Sequence, residues 1–115
     1  MKSYLKGKFF EDMAVSFLIN KGYYIVERNY RIRTGEIDII AKDGNTLVFV
    51  EVRFRKNIRF GVPEETINYK KIKNIINTAH RYISMNKVEY DDIRFDVIAI
   101  ENEEIRHILN AFDLH

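Results

Sequence analysis

The sequence predicts an α/β fold: a mixed β-sheet of about four to five strands flanked by helices, in the order α-β-β-β-α-β, with one further strand at the tail. Three observations predict it. Apolar residues recur at helical spacing near the start and again past the middle of the chain. Runs rich in aromatic and β-branched residues lie between them, two of them joined by a strong hairpin turn. A strand, a long helix and another strand then follow in succession, the pattern of a right-handed parallel crossover. The 115 residues suit one domain over 1–115, with no repeat, linker or low-complexity tract to divide it.

The elements follow in order. Phe10, Met13, Ala14, Phe17 and Leu18 recur at helical spacing within about Lys6 to Lys21, and Gly22 follows as a natural C-terminal cap. Tyr23 to Ile32 reads as a strand. Glu36 to Ala41 and Thr46 to Phe54 are strands joined by Lys42-Asp43-Gly44-Asn45. Pro63-Glu64-Glu65 is expected to open the long helix, since proline and acids favour a first turn. Its buried stripe is Ile72, Ile75, Ile76, Ala79, Tyr82 and Ile83. Ile93 to Ile100 is a strand, and Glu104 to Phe112 reads as a short strand and then a turn.

Composition excludes several chemistries. Without cysteine there is no disulfide, thiolate metal site or cysteine nucleophile, which fits a reducing cytoplasm. The early apolar run Ala14 to Ile19 is too short to span a membrane, and its flanks do not suit a signal peptide. The net charge of +2 hides an asymmetry: residues 1–35 hold seven Lys/Arg against three acids, and residues 53–73 hold seven against two. Residues 88–115 reverse it, with eight acids against Arg94 and Arg106. Clustered basic charge is what a phosphate backbone attracts, although most such residues are ordinary solvated surface.

The hairpin carries the clearest chemistry. A turn centred on Asp43-Gly44 sets Asp38 opposite Phe49, Ile40 opposite Leu47 and Glu36 opposite Glu51. Alternation then places Glu36, Asp38, Glu51 and Arg53 on one face, and Ile37, Ile39, Val48, Val50 and Val52 on the other. Asp38 and Glu51 become diagonal neighbours with α-carbons about 7–8 Å apart. Carboxylates at that range repel unless a cation lies between them, and all-oxygen ligation suits Mg²⁺ or Mn²⁺. The Val52 carbonyl is a further oxygen within reach. The bland alternative is that the acids simply pair with Arg53 and Arg55.

Gly35-Glu36-Ile37-Asp38-Ile39-Ile40-Ala41 and Leu47-Val48-Phe49-Val50-Glu51-Val52-Arg53-Phe54-Arg55 resemble the YraN-like family of predicted endonucleases. So do Arg28-Asn29-Tyr30-Arg31, Arg59-Phe60-Gly61-Val62-Pro63-Glu64, Arg94-Phe95-Asp96-Val97 and Asn110-Ala111-Phe112. That family is distantly similar to archaeal Holliday junction resolvases, in the PD-(D/E)xK restriction-endonuclease-like group. The resemblance implies a restriction-endonuclease-like core and Mg²⁺- or Mn²⁺-dependent hydrolysis of phosphodiester bonds in DNA, branched DNA included. Asp38 and Glu51 match the motif's acids, and Glu11 resembles the helical acid that often completes the metal site. The alternative for Glu11 is an ordinary exposed helical charge.

Arg53 stands where the motif has lysine. Arginine keeps the cation and binds phosphate bidentately, but it cannot act as a base. A non-catalytic nucleic-acid-binding module on the same fold is therefore the alternative reading. Arg55 alternates to the face of Arg53 and is placed for an adjacent phosphate. Arg31, Arg33, Arg59, Lys70, Lys71 and Lys73 are candidates to line the backbone path, with DNA favoured over RNA and recognition by phosphate and shape. Two-strand cutting by relatives implies a homodimer. A third reading, an assembly factor, rests only on the acidic stretch Glu89 to Glu104. His80, His107 and His115 show no ligand spacing, and no serine has a nucleophile-elbow context. Tyr69 and Tyr82 read as core or amphipathic surface in preference to base-stacking platforms.

Overall fold

The computed structural model describes residues 3–55 and 67–112, with side chains from Gly7 onward. Helix α1 (Ser3–Asn20) is followed by strands β1 (Tyr24–Ile32), β2 (Gly35–Asp43) and β3 (Thr46–Arg55), helix α2 (Tyr69–Met85), and strands β4 (Asp92–Glu101) and β5 (Glu104–Ile108). The five strands form one sheet in sequence order. Pairing is antiparallel except between β3 and β4, which run parallel on either side of α2. This is the expected mixed α/β architecture, with the tail strand present. Among the described residues no helix is long and apolar enough to cross a membrane.

Two apolar clusters hold the layers together. Phe10, Ala14 and Leu18 of α1, spaced one turn apart, pack on Ile39, Ala41, Val48, Val50, Ile98 and Ile100. Ile75, Ala79 and Tyr82 of α2 pack on Ile37, Ile40, Leu47, Phe49 and Phe95. The clusters share no residue, so the helices cover opposite faces of the sheet. Each large side chain removed from water contributes about 1.5–3 kcal/mol. The α1 helix ends as its sequence suggests. Gly22 takes φ +92, Gly22 N–H bonds the Ile19 carbonyl and Tyr23 N–H bonds the Leu18 carbonyl, a Schellman closure.

Two expectations need correction. The α2 helix does not run on from Pro63: Asn68 is extended (φ −95, ψ 175) and caps α2, its side-chain oxygen accepting Lys71 N–H at 2.9 Å. Pro63-Glu64-Glu65 lies outside the described residues, as does Arg59. The hairpin register is also shifted by two residues, with Asp43 paired to Thr46, Ile40 to Phe49 and Ile39 to Val50. The cause is the turn. Gly44, at φ +60, takes the first of its two central positions, where a tight hairpin requires positive φ, and Asn45 takes the second. A shift of two preserves which side chains share a face near the turn, so the apolar pattern could not distinguish the registers.

Candidate acidic site

The pairing of β2 with β3 ends at Ile39 and Val50. One further step of that register sets Asp38 directly against Glu51, where a diagonal was expected. The strict alternation of faces also fails here. Ile39 packs with the α1 cluster and Ile37 with the α2 cluster, so the strand changes its facing across Asp38. Asp38 Oδ2 accepts the Val52 backbone N–H at 2.8 Å, in place of a strand carbonyl. Asp38 and Glu36 consequently line a cavity of about 660 Å³ beneath α1, together with Glu11, Arg28, Val52 and Phe54. Glu51 and Arg53 are on the α2 side. The four charged residues therefore do not share one face, and the two acids meet where the strand turns over.

Their electrostatics are those of a crowded pair. Glu51 is 6% exposed. Burial, and then the negative charge of Asp38, push its carboxyl up to about 8. Burial raises the Asp38 carboxyl too, opposed by the bonds from Val52 N–H and Glu51. Each carboxyl acts on the other: Glu51 helps hold the Asp38 carboxyl down, and Asp38 helps push the Glu51 carboxyl up. Positive charge stands close without neutralising them: Arg53 Nε is 3.6 Å from Glu51 Oε1, and Lys71 Nζ is 4.0 Å from Oε2. Arg53 Nε and Arg55 Nε are buried with no hydrogen-bond partner. The alternative reading, in which the acids pair with Arg53 and Arg55, is met in part: Arg53 forms a long ion pair with Glu51.

The remaining candidates are distributed around this centre. Glu11 reaches the cavity from α1, its Oε1 accepting Arg28 Nε at 2.9 Å and Asn29 Nδ2 at 3.0 Å. Arg31 lines the cavity and bonds Glu36 Oε2 through Nε at 2.9 Å. Arg33, Lys70 and Lys73 are exposed. Tyr69 is 78% exposed, whereas Tyr82 is core at 3%, packed edge-on to Tyr30 and Phe49. Among the described residues, no three His, Cys, Asp or Glu side chains are gathered closely enough to hold a metal ion. The acid pair alone fits a hard cation: Mg²⁺ is commonly held by one or two carboxylates, with water and substrate phosphate completing its shell.

Sequence reading missed a second buried polar group. Asp96, fully buried, accepts Arg94 Nε at 2.9 Å, His107 Nε2 at 2.8 Å and Asn110 N–H at 3.0 Å. Burial pushes this carboxyl up, but those three bonds outweigh it and hold it below the usual carboxylate range. Arg94 also reaches Tyr23 Oη at 2.6 Å and Asp43 Oδ2 at 3.2 Å. Lys21 Nζ donates to His107 Nδ1 at 2.8 Å, which leaves the ring proton on Nε2 facing Asp96. The alternation of Arg94 and Asp96 on one strand was the only local signal. Their partners come from four other places in the chain.

The fold and the acid pair define a small α/β protein with two crowded carboxyls, Asp38 and Glu51, in its central hairpin. The profile of the uncharacterised protein family UPF0102 matches residues 10–100. A UPF0102 protein of Persephonella marina is 52% identical over 99% of this chain and 98% of its own length. Others from Sulfurihydrogenibium and Clostridioides difficile are each 50% identical, over 95% and 93% of this chain and 95% and 96% of their own. The chain belongs to the UPF0102 family, in keeping with the YraN-like resemblance of its motifs.

Proposed function

We propose that this protein is a metal-dependent endonuclease that hydrolyses phosphodiester bonds in DNA. The observation that carries the reading is the juxtaposition of Asp38, half-buried at the wall of an open cavity, with the buried Glu51 beside it in the hairpin, two carboxyls crowded together and incompletely neutralised. Structural acids are ordinarily matched by close cations, and these are not. Mg²⁺ or Mn²⁺ bound there would supply Lewis acidity toward a phosphate and a more acidic water.

The chain's own groups take the other roles. Asp38 and Glu51 would hold the cation by hard oxygens, and Val52 N–H orients Asp38. Glu11 faces the cavity as the third acid. Arg53 and Lys71 lie within 4.0 Å of Glu51 and offset negative charge that develops on the phosphate. Lys71 therefore gives the centre a lysine ammonium although position 53 lacks one. Arg55, Arg31, Arg33, Lys70 and Lys73 supply positive charge along the phosphate backbone. A homodimer would bring two such centres to the two strands of a branched substrate.

The test is incubation with linear and four-way-branched DNA in Mg²⁺ or Mn²⁺. Cleavage that Asp38→Ala and Glu51→Ala abolish supports the reading. No cleavage in either metal, with salt-sensitive binding retained, selects the non-catalytic binding module instead, for which Arg53 is the motivation. Arg53→Lys and Lys71→Met then separate the two cations: a gain of cleavage in the first shows that arginine limits the chemistry.

A further inference from the structure

Glu11 is held in an unusual way. Its side chain is 13% exposed, and three donors converge on one oxygen: Arg28 Nε at 2.9 Å, Arg28 Nη2 at 2.8 Å and Asn29 Nδ2 at 3.0 Å, each on Oε1. None of these bonds goes to Oε2. Asn29 stands opposite Asp38 in the β1–β2 register, between the pairs Arg28–Ile39 and Tyr30–Ile37. Its backbone has φ +54 inside a strand. That left-handed conformation is unfavourable for a residue that carries a side chain, and glycine would adopt it freely. Asparagine tolerates it and, unlike glycine, brings an amide donor. An ion-pair clasp between α1 and β1 would need Arg28, which also bonds Asp12, but would not need that amide.

We propose that Arg28 and Asn29 are positioning residues that grip Glu11 by Oε1, so that Oε2 acts on a divalent cation held by Asp38 and Glu51. The proposal rests on the reading of that pair as the cation site. Because no three acids among the described residues are gathered for direct ligation, Glu11 works through an intervening water, as outer ligands commonly do. Asn29→Gly is the decisive variant, since it keeps the backbone conformation and removes only the amide.

The experiment is Mn²⁺ binding, followed by calorimetry and by the Mn²⁺ spin-resonance signal, with melting temperature recorded for each protein. Wild type, Asn29→Gly, Glu11→Gln, the double variant and Asp38→Ala are compared. The expected result is an affinity loss of about tenfold in Asn29→Gly and in Glu11→Gln. The double variant loses no more than either single, and melting of Asn29→Gly stays near wild type. Wild-type affinity in Asn29→Gly, or losses that add in the double variant, overturns the positioning role while Asp38-dependent binding still stands. Absence of Mn²⁺ binding in the wild type overturns both this role and the cation site.

Discussion

At Glu51, burial and the adjacent Asp38 charge act in the same direction, and the consequence is a stability that depends on pH. An acid whose carboxyl sits near 8 when folded and near 4.5 when unfolded holds its proton more tightly in the folded chain. Its stabilisation is complete below about 4.5 and is lost as pH rises through 8. Cation-free protein should therefore lose on the order of 2–4 kcal/mol between pH 5 and pH 8. Chemical denaturation across that range measures it. Glu51→Gln should flatten the profile, and Mn²⁺ at pH 8 should restore the lost stability. Asp96 behaves in the opposite sense, since its carboxyl is held low by its partners. Asp96→Ala leaves Arg94 and His107 facing an uncompensated gap, and should cost about 3–5 kcal/mol. A melting temperature lower by roughly 10–20 °C is the expected reading.

Between elements, one tight contact lies where β2 begins against α2. A β-carbon added at Gly35 would lie 2.5 Å from Thr78 Oγ1 and 3.1 Å from the Asn74 carbonyl oxygen. Thr78 is fully buried and tied back to Asn74, so it cannot swing away. Gly35→Ala should destabilise by about 1–3 kcal/mol in denaturant titrations. Thr78→Ala should recover only part of this, because the backbone oxygen remains. Local pattern revealed the elements well: helical spacing in α1 and α2, the Gly22 stop, and the parity of the hairpin were all legible. The register was not, because Lys42-Asp43-Gly44-Asn45 admits two turn centres that bury the same residues. Asp38 and Glu51 could be read as neighbours, since one hairpin carries both. The turnover of the strand at Asp38 could not, nor could the positive φ of Asn29. Asp96 was silent for a different reason: its significance depends on Lys21, Tyr23, Asp43 and His107, which only the folded chain brings together.

For the molecule as a whole, net charge is small, and it is the distribution of charge that bears on a polyanionic ligand. Arg33, Lys70 and Lys73 are exposed on the two segments that flank the acid pair, the β1–β2 turn and the first turns of α2. If DNA lies along them, removing all three should reduce the slope of log affinity against log salt by about 2–3. Anisotropy with Asp38→Ala, the variant expected to bind without cutting, gives that slope, and an unchanged value would place the backbone elsewhere. Asp38 faces the α1 layer and Glu51 the α2 layer, and the pair meets through the sheet between them. The centre thus works as a rivet whose two heads lie in different layers. Both heads are carried by neighbouring strands, Asp38 by β2 and Glu51 by β3, so a bound cation would clamp the hairpin at the end away from its turn. Occupancy would then register as slower hydrogen exchange in those two strands, which makes exchange at the hairpin a gauge of cation binding.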